Sequence, residues 1–472
     1  MDGAGAQRVP GGDVAVVTAT DLAAWRTALA DLSRDVADAD RIDQLRLLEE
    51  LKSAACAAQA QVAVDLDASQ RQEQATAGVP LERRGQGIGA QVALARRESP
   101  HRGGRLLGLA KALVVEMPHT YRALQAGTLS EWRATLLVRE SACLSVADRA
   151  AFDAEMAADP RTLEGLGDRA LVARAKQVAY RLDGAALVRR ARRAESERCV
   201  SLRPAPDTMS YLTGLLPMAQ GVAVLAALQK VADTARALGD PRGRGQVMAD
   251  TLVERVTGQA AADDVPVELQ IVMTDRTLLS GDGEPAHVQG YGTVPAQWAR
   301  ELVARRLSAS AADGCVRVWA RRLFTHPTTG QLVAMESRRR TAPAALARYI
   351  TTRDQICRTQ WCDAPIRHVD HVVPHAEGGQ TVEGNLEGYC EACNYAKQAP
   401  GWSARALGSA ARAGPAGELA PGRHVVQTIT PTGHLYESRA PALPGHRTPR
   451  RRLRRRRRDS HAERYFARWI GA

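Results

Sequence analysis

Between Cys357 and Trp402 the 472-residue chain gathers its densest set of ligand-type side chains. Two close cysteine pairs, Cys357 with Cys362 and Cys390 with Cys393, bracket Asp370-His371, a Gly378-Gly379 pair and Asn385; Asn394 directly follows the last cysteine. Paired thiolates on tight turns suit a structural, tetrahedral Zn²⁺, with sulfur about 2.3 Å from the metal. The opening MDGAGAQRVPGGD has neither a basic n-region nor an apolar core, so a reducing, cytoplasmic location is expected. In that setting such pairs read as metal ligands rather than disulfides. The competing reading, four unrelated buried thiols, suits the isolated Cys56, Cys143, Cys199 and Cys315 better. An aspartate and an asparagine make a hard oxygen set for Mg²⁺ or another divalent ion, here Asp370 and Asn394. A neutral imidazole beside them, His371, can take a proton from water near pH 7.

These groups need elements to hold them. Val369 to Pro374 alternates as a short strand, which puts Asp370 and His371 on opposite faces unless the strand end twists. Gly378-Gly379 supplies a loop, Asn385-Leu386 opens a second strand, and Asn394 is expected to start a short helix, NYAKQA. Strand, loop, strand and helix, with cysteines at both ends, would bring Asp370, His371 and Asn394 together. The module has little apolar core of its own, so bound metal would supply folding energy.

The string DHVVP, GG, NL, CEACN and Lys397 resembles the HNH endonuclease family, over about 46 residues counted from Cys357 to Trp402. The resemblance implies that His371 is the general base, that Asp370 and Asn394 are ligands of the catalytic metal, and that Asn385 holds the loop and orients the base. It also implies that the four cysteines hold structural zinc. Two departures stand out. The first cysteine pair is wider than Cys-x-x-Cys, and the third motif letter is Asn394 rather than His.

The order of the whole chain is similar to a group of bacterial proteins in which a mostly helical domain of unknown function 222 precedes an HNH module. The stretches LRPAPDTMSYLTGLLPMAQGVAVLAAL, GDPRGRGQVMADTLVERVTG and QLVA to CDAP carry that resemblance, and the hairpin VQTITPTGHLYESRAP fits too. It implies an architecture and leaves the helical domain's role open.

The rest of the chain is consistent with this plan. Ala, Leu and Arg dominate, which favours helix. Helical periods run from Asp21 onward and a helix is expected from Ser99-Pro100, a cap followed by proline at the first helical position. Others are expected over 164–181, 184–196, 218–238, 246–257, 295–307 and 343–353. Hairpins are expected around PAPD after Cys199, HPTTG after Val316 and PTG after Val425. The expected divisions are a disordered 1–18, a helical domain at 19–340, an HNH module at 341–402, a linker and hairpin at 403–445, and an Arg-rich tail at 446–472. The expected fold class is mainly α with small β elements, ending in a zinc-stapled ββα-metal module. No run of apolar residues is long enough for a membrane span. Oligomeric state is not legible.

A net charge of +12 points to a polyanion partner, DNA. From His446 onward eleven arginines face Asp459 and Glu463, so the tail carries +9 and the body is nearly balanced. The module itself holds six basic against seven acidic residues from Arg340 to Trp402. DNA affinity is therefore expected from flanking groups. Arg317, Trp319 and Arg321 share a strand face, and the tail includes Arg451 and Arg455. Each has a plainer reading: an edge strand in solvent, or a compositional run. Lys397 either meets phosphate or covers the helix surface, and His368, His375 and Glu377 read first as surface residues. The expected function is a metal-dependent HNH endonuclease hydrolysing DNA. Its rival is a noncatalytic DNA-binding or mobile-element accessory protein that keeps the zinc fold.

Overall fold

A computed structural model describes residues 17–259, 261, 270–313, 344–407, 412–413, 419–420 and 423–443. Arg317, Trp319 and Arg321 with their expected hairpin, the arginines at 338–340, and the tail with Arg451 and Arg455 lie outside the described residues, as do residues 1–16 of the expected disordered start. The fold is mainly α with small β elements. The chain divides into two units, one formed by residues 1–61 and 112–182, the other by 62–111 and 183–472.

The first unit is helical. It contains α1 (Ala19–Ala30), the first part of α2 (Asp38–Thr76), and a π-helical turn at Ala112–Glu116. Then follow α5 (Pro118–Gln125), α6 (Glu131–Ser141), α7 (Val146–Ala157) and the first part of α8 (Asp168–Ser196). Its core is Leu113, Met117, Leu124, Leu137, Phe152, Met156 and Leu171, all fully buried. Proline at the first position of α5 leaves Met117 as an N-cap with no side-chain bond. Asp153 of α7 supplies the missing acceptor, taking the backbone N–H of His119 at 2.7 Å and of Thr120 at 2.9 Å. The two expected helices at 164–181 and 184–196 meet at Asp183, whose φ of −148° and ψ of 85° break α8.

In the second unit, α3 (Ile88–Arg96) and α4 (Pro100–Lys111) pack as a tight pair. A Cβ on Gly103 would sit 2.4 Å from the Gly89 carbonyl oxygen and from Ala93 Cβ, so only glycine permits that approach. The hairpin β1 (Cys199–Pro204) and β2 (Ser210–Leu215) forms as expected and packs no residue into a core. Helices α9 (Met218–Ala237) and α10 (Arg244–Thr257) pair with each other. Strand β3 (Ile271–Val272) pairs with β4 (Ala286–Val288), which pairs with β5 (Gly292–Val294). The short α11 (Asp275–Leu279) and then α12 (Ala296–Asp313) complete this part.

The C-terminal module begins with α13 (Ala344–Asp354). Strands β6 (His368–His371) and β7 (Leu386–Tyr389) pair antiparallel, with Asp370 opposite Glu387 and His371 opposite Leu386. Helix α14 (Glu391–Ala396) follows and packs against β6. Here the expectation is corrected: the helix starts at Glu391, not Asn394. Cys390 is its N-cap, with Sγ accepting the Cys393 N–H at 3.5 Å, so the cysteine turn is already the helix entry. A second correction concerns the stretch from 403 read as linker. It opens with β8 (Ser403–Leu407), which pairs with β11 (Val425–Ile429), itself paired with β12 (Leu435–Arg439). Between them β9 (Arg412–Ala413) pairs with β10 (Leu419–Ala420). SARAL is too small and alanine-rich to announce a strand; the neighbouring strand makes it one. Among the described residues no helix is long and apolar enough to cross a membrane.

Candidate active site and metal centre

The two cysteine turns converge. All four sulfurs lie within 4.8 Å of one another and all four residues are buried. A tetrahedral site with bonds of about 2.3 Å has edges of about 3.8 Å; the Cys362 and Cys390 sulfurs stand 3.7 Å apart. Hydrogen bonding among the crowded sulfurs pushes the Cys357 and Cys390 thiols down and the Cys362 and Cys393 thiols up. The donor set, its spacing and its burial fit a structural zinc ion. The buried cluster here consists of the four cysteines and Tyr389, with Ala364 packed alongside, so the cysteine cluster is the core of this part.

The paired strands and α14 then set the remaining groups. His371 is the last residue of β6 and is 7% exposed. Its Nε2 is 2.8 Å from Thr381 Oγ1, and its Nδ1 lies 3.7 Å from Asp370 Oδ1. The His375 ring meets it edge-on at 5.8 Å. Burial pushes the His371 imidazole below its usual value, against the nearby Asp370 charge. Asp370 is half-buried, and burial opposes its ionised form. The Lys397 ammonium at 3.0 Å and the His371 N–H on Oδ1 at 2.8 Å outweigh that and hold its carboxyl low.

Lys397 does not stand in solvent. Its ammonium also donates to the His371 carbonyl at 2.7 Å and rests 4.3 Å from the Tyr389 ring centre. Asn394 lies one helical turn earlier, on the same face of α14 as Lys397. Its Oδ1 is buried and has no hydrogen-bond partner. An orphaned buried amide oxygen is a donor of the kind a hard divalent cation takes.

Asn385 clamps the loop between the strands. Its Oδ1 accepts the Val373 N–H at 2.9 Å, and its Nδ2 donates to the Val373 and Gln380 carbonyls at 3.1 and 2.9 Å. It grips the backbone just after His371, while the contact to the imidazole itself comes from Thr381.

The sequence reading missed Thr381, and it missed a buried polar network behind the strands. Asp354, fully buried, accepts from Arg353 at 2.7 Å, Arg358 at 2.9 Å and the Gly388 N–H at 2.8 Å. Arg358 Nη2 donates to the His424 carbonyl at 3.2 Å and to Ser438 Oγ at 3.3 Å; Ser438 donates to Glu387 at 3.0 Å. These bonds fasten the β11–β12 hairpin to the module. Isolated charged residues in separate segments carry no local signal of such a network.

Two family models match the chain. A family model described as HNH endonuclease matches residues 355–399. A second, described as a domain of unknown function (DUF222), matches residues 45–354, more than half of the chain. No curated protein and no solved structure matches the chain. The chain belongs to the DUF222 family and carries an HNH endonuclease domain directly after that domain.

Proposed function

We propose that the protein is a metal-dependent endonuclease that hydrolyses phosphodiester bonds in DNA. One observation carries this reading. Within the HNH match, a nearly buried imidazole has Nε2 committed to Thr381 and Nδ1 turned toward Asp370. With Thr381 accepting from Nε2–H, Nδ1 keeps its lone pair, and a low pKa keeps that lone pair available at neutral pH.

In this reading His371 Nδ1 takes a proton from the attacking water. Asp370 and Asn394 would hold a divalent ion, which when bound neutralises charge at the scissile phosphate. Asn385 and Thr381 fix the loop and the ring that carry out the proton transfer. Attack in line with the leaving oxygen leaves a 5′-phosphate and a 3′-hydroxyl. The arginines at 317, 321, 451 and 455 remain proposed backbone contacts, because the module has no excess of positive charge. Lys397, turned inward, serves the site by holding Asp370 rather than by reaching out.

A noncatalytic binding role is favoured by one feature, the Lys397–Asp370 pair, which satisfies the carboxylate without a metal. A plasmid-nicking assay with Mg²⁺, Mn²⁺ or no added ion separates the two. Metal-dependent nicking that disappears in His371→Ala, with zinc content unchanged, supports the nuclease. Nicking undiminished in that variant overturns the assignment, and no nicking by the wild type under any ion favours the binding role.

A further inference from the structure

Two bulky side chains with left-handed backbones meet beside the zinc site. Trp361 has φ +64° and Arg97 has φ +59°. The Arg97 guanidinium sits 5.6 Å from the centre of the Trp361 ring, and both residues are exposed, Trp361 by 46%. For Arg97 the conformation has a local cause: it is the C-cap of α3, and its N–H and that of Glu98 close the helix end.

Trp361 has no such excuse. It occupies the third position of the turn Thr359–Cys362, closed by the Cys362 N–H donating to the Thr359 carbonyl at 3.0 Å. A turn with positive φ at that position is made for glycine or asparagine. A tryptophan there strains the backbone and also leaves an indole half in solvent. Neither effect helps the fold, and strain held by surrounding structure marks ligand-contacting positions.

We propose that the Trp361–Arg97 pair is a stacking contact for an unpaired base of the nucleic-acid strand. This rests on the nuclease reading. An aromatic face with a guanidinium beside it matches a base and its adjoining phosphate, and such stacking is indifferent to sequence. The surroundings agree. Arg105 is exposed on α4, and Arg102 pairs with Glu98 at 3.1 Å. Thr359 and Gln360 of this turn line a small, mostly apolar pocket together with Glu98, Pro100, Tyr389 and Lys397. The contact therefore stands on the same turn as a pocket that Lys397, the partner of Asp370, also lines. It joins a residue of the DUF222 match to one of the HNH match, which gives the helical domain a part in strand recognition.

The test is binding by the full chain on the His371→Ala background, so that the probe is not consumed. A labelled single-stranded DNA 20-mer and its duplex are titrated and read by fluorescence anisotropy. Trp361→Gly is expected to weaken single-strand binding about tenfold or more, to weaken duplex binding much less, and to leave the melting temperature equal or higher because the turn is relieved. Trp361→Phe is expected to keep most of the affinity. Equal single-strand affinity in wild type and Trp361→Gly overturns the stacking contact and leaves the nuclease reading standing. Binding of neither probe by the wild-type surface overturns both.

Discussion

The hydroxyl of Thr381 lies 2.8 Å from Nε2 of His371, and in the proposed mechanism, where Nε2–H donates to that hydroxyl, the bond leaves Nδ1 as the base. Thr381 is 3% exposed, so water is not at hand to replace it. Thr381→Val keeps the shape and removes the acceptor, leaving a buried N–H unpaired. The expected result is a fall in kcat of about tenfold, with KM little changed, against about a hundredfold or more for His371→Ala. Thr381→Ser should restore most of the rate. Single-turnover nicking kinetics measure all three, and a Thr381→Val rate equal to wild type removes Thr381 from the site.

Lys397 pairs with Asp370, and in the proposed mechanism a divalent ion would draw on the same charge. Removing the lysine charge with Lys397→Met should therefore tighten Mn²⁺ binding, by roughly fivefold for one unit charge a few ångströms away. The same change lets the Asp370 carboxyl rise toward its ordinary value, because the lysine is the main influence holding it down against burial. Calorimetric titration of Mn²⁺ checks the affinity. Weaker binding in the variant would show that the lysine orders Asp370 more than it competes for it.

The loop after His371 has no room for a side chain at Gly379. A Cβ there would stand 1.9 Å from the Val373 carbonyl oxygen and 2.7 Å from Asn385 Nδ2. Gly379→Ala must open the loop and lose bonds of the Asn385 clamp, at a cost of about 2 kcal/mol. Thermal unfolding should show a lowered midpoint, and nicking should fall with it because Val373 is two residues from the base. Gly378→Ala meets nothing within 4 Å, yet its φ of +86° makes it strained, so a milder loss is expected there.

Removal of zinc should unfold the module rather than only silence it. Its buried cluster around the sulfurs contains one large side chain, Tyr389. One zinc per chain is expected by metal analysis, and Cys393→Ser should lose both the metal and the near-ultraviolet signal of the module. A folded, metal-free Cys393→Ser protein would show that the strands and the C-terminal hairpin suffice.

Local order explains what could be read in advance. The cysteine turns, Asp370-His371 and the glycine loop act over a few residues, so spacing alone announces them. Thr381 acts on His371 from ten residues away across a loop and is chemically an ordinary threonine. Arg358 reaches His424 and Ser438 over 66 and 80 residues, a relation set by which strands pair. The start of α14 is hidden in the sequence for a related reason: Cys390 serves both as a sulfur ligand candidate and as helix cap, and only its second role fixes the helix. The strand β8 exists because β11 lies beside it.

That long-range network makes a pH prediction. His424 is 6% exposed, with Nε2 3.0 Å from the Gly384 carbonyl and Nδ1 3.4 Å from Arg358. Burial, then the Arg353 and Arg358 charges, push its imidazole down to about 4 from an ordinary 6.5. Folded His424 therefore stays neutral while the unfolded chain takes up a proton below pH 6.5. Its contribution to stability is complete above that pH, declines as pH falls toward 4, and loses nothing further below it. The full span corresponds to about 3 kcal/mol. Asp354 and Glu387 titrate in the same network, so the informative quantity is the difference between wild type and His424→Gln. Urea unfolding from pH 7.5 to 4 should show wild type losing stability more steeply than the variant between 6.5 and 4, with the two slopes equal above 7. Parallel slopes throughout would mean that His424 is protonated in the fold and is matched by a carboxylate instead.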